Sequence, residues 1–179
     1  MPFSSLTALP IVYPFESRAG GLIKAYLIAY SDTVPDATGQ IATVTAGLVT
    51  AVALGSDKLF QGVGFTRGSS DATETFTSDF AKGTGFYKST FKLFLTGLTV
   101  ANQQYIAQLQ MRPVAVIIQT LEGNFYLLGG DGRFQLLSYA STTGTAEADG
   151  PGYVLSFEGS GITPMLMVDP SIIATVTAG

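Results

Sequence analysis

Hydrophobic and polar residues alternate with a period of two along most of this chain, the spacing at which side chains point to opposite faces of an extended strand. From Leu22 to Tyr30, Ile23, Ala25, Leu27 and Ala29 share one side, and Lys24, Tyr26, Ile28 and Tyr30 the other. Both sides are mostly apolar, so this strand is expected to be largely buried. Gln40 to Leu54 is rich in Thr and Val, whose branched side chains suit a pleated surface better than a helix. Gly47 marks a bend or bulge in it, which leaves one long strand or two. Lys58 to Phe65 predicts a further strand, bounded by Gly55-Ser56-Asp57 and Arg67-Gly68-Ser69-Ser70.

The most regular pattern lies in Thr73 to Phe80 and Thr84 to Leu95, which flank Ala81-Lys82-Gly83 and predict a long hairpin. In its second arm Tyr87, Phe91, Leu93 and Leu95 share one side, while Lys88, Thr90 and Lys92 share the other. The first arm presents Thr73, Thr75, Thr77 and Asp79 together, so part of the ribbon must face water or a polar partner. One helix interrupts the strands, at about residues 99 to 111: Thr99 caps it, Tyr105, Ile106 and Leu109 form its apolar stripe, and Pro113 ends it. Val114 to Thr120, Phe125 to Leu128 and Arg133 to Tyr139 then follow across glycine-containing turns and read as consecutive hairpins. The polar stretch Ser141 to Gly150 is expected to be a loop before strands at Tyr153 to Glu158 and Ile162 to Val168.

An internal echo stands out. Ile41-Ala42-Thr43-Val44-Thr45-Ala46-Gly47 recurs letter for letter as Ile173-Ala174-Thr175-Val176-Thr177-Ala178-Gly179. Both copies can be ordinary Thr/Val strands. A sharper reading makes residues 171–179 a C-terminal strand, carried by Ile173, Thr175 and Thr177, that pairs where 41–47 pairs, on a neighbouring subunit.

Composition narrows the function. The 179 residues are 46% hydrophobic and 12% charged, which fits one globular β-rich domain spanning 1–179, with residues 1–20 as an extended arm. Cys and His are both absent, which removes thiol catalysis, the usual zinc sites and the serine and cysteine hydrolase constellations. Nine Lys and Arg are scattered singly in a chain of net charge −4, so no basic patch is present to wrap nucleic acid. The mean hydropathy of +0.36 raises the question of membranes. The longest uncharged apolar-leaning run, Ala37 to Ser56, is too diluted by Thr, Gly and Ala for a spanning helix. The N-terminal run has no basic leader before its apolar part and contains Pro10 and Pro14, which argues against a secretory signal.

Few constellations carry chemistry. Asp71, Glu74 and Asp79 are close in sequence, but strand periodicity puts Glu74 on the opposite face from the other two, and they are read as solvated charges. The glycines of Gly62 to Gly68 miss the dinucleotide spacing, and those of Gly129 to Gly132 precede no helix that would cradle a phosphate. Lys88 and Lys92 either meet an acidic partner or pair with Asp79 across the hairpin, and the cross-strand pair is favoured. No catalytic, cofactor or metal site is assigned.

The order of long hairpin, single helix, short apolar strand and further strands resembles the tail-tube-type proteins of bacteriophage virions. The resemblance spans about residues 70 to 170, through TETFTSDFAKGTGFYKSTFKLFLTGL, TVANQQYIAQLQM, PVAVIIQT, NFYLLGGDGRFQLLSYAS and GYVLSFEGSGITPMLMVDP. It implies a mainly β fold, a sandwich or barrel-like arrangement of antiparallel sheets with one flanking helix. It further implies homo-oligomeric rings, hexameric in that family, stacked around a lumen through which DNA passes without specific binding, in contact with other tail or neck proteins. Such families have no catalytic residues or cofactors. The location implied is the virion, with assembly in the host cytoplasm. A channel for a sliding polyanion should offer no docking cations, which a net-negative chain satisfies. The hairpin Thr73 to Leu95 is the candidate for the lumen or the intersubunit contact. Alternatives are another tail or neck component, such as a terminator, connector or capsid-associated protein, a carbohydrate-binding β-sandwich, and an enzyme working through Asp and Glu alone.

Overall fold

The structure, a computed structural model, describes residues 21–65, 70–79, 81–144 and 150–178. The expected arm 1–20, residues 66–69, Phe80 and residues 145–149 of the expected loop lie outside that set. The strands are β1 (Leu22–Ala29), β2 (Ala42–Thr45), β3 (Leu48–Val52), β4 (Gln61–Val63), β5 (Asp71–Asp79), β6 (Thr84–Thr96), β7 (Val114–Thr120), β8 (Phe125–Leu128), β9 (Phe134–Thr142), β10 (Gly152–Gly161) and β11 (Leu166–Val168). The helices are α1 (Val100–Leu109) and α2 (Pro170–Val176).

The strands divide into a seven-stranded sheet, ordered β2-β3-β11-β8-β7-β1-β4, and a four-stranded sheet, ordered β5-β6-β10-β9. All pairings are antiparallel except β11 against β3. Apolar side chains of β1, β7 and β8 meet Phe91, Leu93, Leu95, Phe134, Leu155 and Phe157 of the four-stranded sheet, and Ile106 and Leu109 of α1 close this shared core. The rings of Phe91, Phe157 and Phe134 stack in sequence there, with centroids 5.7 and 6.1 Å apart. A second core lies on the other face of the seven-stranded sheet, where Tyr26, Ile28, Ala115, Ile117 and Leu127 pack with Phe60, Ile41 and Val176. Burial on both faces is why β1 and β7 are apolar at odd and even positions alike. Among the described residues neither sheet closes into a barrel, so the sandwich part of the expectation holds and the barrel-like part does not. No helix among them is long and apolar enough to cross a membrane.

Local chemistry explains most boundaries. Gln40 to Leu54 folds as two strands because Ala46 and Gly47 both adopt left-handed backbone, with φ of 52° and 84°, which makes the two-residue turn that suits the strand twist. Thr99 caps α1 by accepting from the Asn102 amide at 3.2 Å, while the Asn102 side chain donates to the carbonyls of Thr96 and Gly97. The helix stops at Leu109, two residues before the expected end, because Gln110 is extended and Met111 is left-handed ahead of the restricted residue before Pro113. The strand expected over Lys58 to Phe65 shortens to β4, with Asp57 left-handed at its approach and Phe60 forming a lone parallel bridge to Thr177.

Three expectations are corrected. The segments after α1 are not consecutive hairpins: β7 and β8 form one, but the chain then crosses between sheets, and β9 pairs with β10 instead of β8. The crossing needs Gly129, whose φ is +73° and where a Cβ would lie 2.5 Å from both the Val114 carbonyl and Phe134 Cβ. The Ile162 to Val168 strand is reduced to β11, wedged between β3 and β8.

The third correction concerns the tail. The described residues 171–178 of the expected C-terminal strand, Gly179 lying outside the described set, do not form one, and these residues supply a second helix beyond the single one expected. Asp169 caps α2 by accepting from the Ser171 amide at 2.9 Å, and Pro170 occupies its first turn with φ already helical. Those two residues outweigh the strand preference of Ile172, Ile173, Thr175 and Val176, whereas residues 42–45 have β3 beside them. Ile173 packs against the second core, the Thr175 hydroxyl donates to the Ile172 carbonyl, and the Thr177 hydroxyl donates to the Ile173 carbonyl. The residues of the candidate assembly strand are thus engaged within their own chain.

The hydrogen bonds from the Ser171 amide and then its hydroxyl hold the Asp169 carboxyl below the usual carboxylate range. A lowered pKa in the folded state makes the cap complete above the unfolded carboxylate value and loses it as pH falls through the folded one. Amide hydrogen exchange at Ser171 and Ile172 is therefore expected to quicken across that acidic window relative to Asp169→Asn, whose amide caps without titrating.

Candidate functional site: the outer face of the four-stranded sheet

The four-stranded sheet has one face in the shared core and one outside. Register decides which side chains share the outer face: Asp71 lies opposite Lys92, Thr73 opposite Thr90, Thr75 opposite Lys88, Thr77 opposite Phe86, and Asp79 opposite Thr84. On the next strand Glu158 lies opposite Thr90, Ser156 opposite Lys92 and Ser160 opposite Lys88. All seven residues singled out on the hairpin, Thr73, Thr75, Thr77, Asp79, Lys88, Thr90 and Lys92, thus stand on one surface, threonine-rich and bearing charges of both signs. The Thr73 and Thr90 hydroxyls are 2.6 Å apart, and the Thr75 hydroxyl reaches the Lys88 carbonyl at 3.4 Å.

The charges pair differently from the expectation. Lys88 does not reach Asp79: its Nζ lies 3.0 Å from Glu158 Oε1 on the neighbouring strand. Asp79 sits four residues beyond Thr75, the partner of Lys88, a separation of about 13 Å along a strand. It pairs instead with Lys82 in the turn at 3.6 Å, and accepts the Ala81 amide at 3.0 Å.

Glu74 points the other way, as periodicity indicated, and takes a role that sequence reasoning missed. Its Oε2 accepts the backbone N–H of Met165 and lies 3.5 Å from the Ser89 hydroxyl, which ties the approach to β11 onto the hairpin. The available signal was its place on the same side of β5 as Ala72 and Phe76, where a carboxylate needs a donor. Phe76 and Tyr87 meet beyond it with ring centroids 4.9 Å apart and planes tilted by 42°.

The borders of this sheet are its other distinguishing feature. The edges are β5 and β9, nine residues each; among the described residues no strand pairs with the outer edge of β5, and that of β9 carries a lone bridge from Gln135 to Pro113 at its start. Phe76 on β5 is 58% exposed; Leu137, the extra residue of a bulge in β9, is 61% exposed, and Tyr139 beside it is 48% exposed. No family model, curated protein or solved structure matches the chain.

Removing the Glu74 carboxylate leaves the Met165 amide without its acceptor. Glu74→Ala is expected to lower stability by about 1–2 kcal/mol, and Glu74→Gln by less because its amide oxygen still accepts, as read from urea midpoints.

Proposed function

We propose that this chain is a structural subunit of a bacteriophage tail, of tail-tube type, whose copies form rings stacked around a lumen for DNA. The observation that carries this reading is the four-stranded sheet whose two long border strands pair with no further strand among the described residues, β9 beyond its bridge at Gln135, with exposed Phe76, Leu137 and Tyr139 along them. Open edges of this length invite another strand, and a closed ring of copies satisfies them without leaving an end. The strand count supports the same arrangement. With four antiparallel strands, β5 and β9 run in opposite directions, so β9 of one copy meets β5 of the next antiparallel when the copies share an axis. Such a ring turns the Thr-rich outer face of every copy to the same side. Facing inward, that surface makes a hydroxyl-lined wall suited to a polyanion that must slide.

In this reading the ring is hexameric, as in the family the sequence resembles, and its top and bottom surfaces meet other tail or neck proteins. The subunit works as a building block instead of a catalyst, with its place in the virion and its assembly in the host cytoplasm.

Negative-stain microscopy of the purified chain at high concentration tests the reading: rings or tubes with a central channel are expected, and a stable monomer would contradict it. Leu137→Lys places a charge at the β9 border while leaving both cores intact. It is expected to shift the protein at least tenfold in concentration toward monomer in sedimentation, with an unchanged circular dichroism spectrum.

A further inference from the structure

A wall that lets DNA slide should not present free ammonium groups, yet β6 carries Lys88 and Lys92 on the outer face, the two basic residues of the four strands. Each has a carboxylate beside it on that face. Lys88 Nζ is 3.0 Å from Glu158 Oε1 on β10, and Lys92 lies directly opposite Asp71 on β5, a cross-strand position with Cβ atoms about 5 Å apart. In the turn, Lys82 is held 3.6 Å from Asp79. Lys88 and Lys82 are thus ion-paired with Glu158 on β10 and Asp79 on β5, and Lys92 stands opposite Asp71 at the other end of β5. Exposed pairs of this kind add little to stability, so the matching has its main consequence in the potential the face presents.

Resting on the channel reading, we propose that Glu158, assisted by Asp71, masks the lysines of this face, so that the phosphate backbone of duplex DNA finds no cation to replace its counterions. Glu158 is then a positioning residue for DNA passage: it holds the Lys88 ammonium against the sheet and cancels its charge. Its carboxylate also avoids the strong repulsion that an uncompensated acidic wall would exert, because each acid is matched as well. The face is near neutral and rich in hydroxyls, which exchange hydrogen bonds with water and phosphate on similar terms.

The test is fluorescence anisotropy with a 20-base-pair duplex of about 40 negative charges as the probe, titrated with the purified chain in whatever oligomeric state it takes. Glu158→Gln with Asp71→Asn is expected to bind the duplex about tenfold more tightly than wild type, with a salt dependence steeper by roughly one unit per unmasked lysine. Asp36→Asn with Asp57→Asn, on loops away from this sheet, makes the same change in net charge and is expected to leave binding within about twofold of wild type. Adding Lys88→Gln to Glu158→Gln is expected to abolish that variant's gain. Equal binding by the face pair and the loop pair, or a gain that survives Lys88→Gln, overturns the masking. Rings that form in wild type while Glu158→Gln binds no better keep the channel and remove the masking; a monomer whose lysines become DNA-binding on loss of Glu158 keeps the masking and removes the channel.

Discussion

A strand at the border of a sheet leaves alternate N–H and C=O groups without a strand partner, and a protein must shield those groups or give them to a neighbour. Here the two sheets treat this demand differently. The seven-stranded sheet ends in short strands, β2 of four residues and β4 of three, and is covered on both faces. The four-stranded sheet ends in two strands of nine residues, exposes one whole face and sets large apolar side chains near its borders. The first sheet is organised as the interior of one molecule, and the second leaves a face and its borders open.

The division of labour follows from packing. Phe91, Leu93, Leu95, Leu155 and Phe157 anchor one side of the four-stranded sheet to β1 and β7, so its other side is free to carry threonines and charges at no cost to the core. The helix α1 connects the two sheets and closes the core with Ile106 and Leu109, while α2 closes the second core with Val176. A bulge at Leu137 shifts the register of β9 against β10, beyond which Ser138 to Thr142 are exposed but still paired, and Glu74 holds the hairpin against the chain entering β11.

Much of this was legible in the residues, and what was not has identifiable causes. Period two located β1, β5, β6, β7 and β10 because long strands with one or two apolar faces leave a clear signal. The same period put the seven hairpin residues on one face before any register was known. Pairing was less legible: the partner of Lys88 is on β10, seventy residues away in the sequence, and nothing local distinguishes Glu158 from Asp79 as that partner. The tail shows the limit most clearly, since the same letters form the strand β2 at Ala42–Thr45 and the second half of the helix α2 at residues 173–176. The cap at Asp169, the proline after it and the apolar pocket around Val176 decide that outcome, and two of those three lie outside the repeated letters.

Copies of this chain are proposed to complete one another's four-stranded sheets through β5 and β9, and the cysteine-free sequence allows that pairing to be tested directly. Thr75→Cys on β5 combined with Ala140→Cys on β9 places thiols on opposite borders of the sheet, three strand spacings apart and offset by six residues along the strands, about 24 Å in one molecule and too far to join internally. Under mild oxidation, with Ser138→Cys and Thr142→Cys as alternative partners for Thr75→Cys to allow for register, the account predicts a ladder of covalent oligomers rising to the ring number. Single-cysteine chains should stop at dimers or stay monomeric. Only monomers from every double variant would contradict the account.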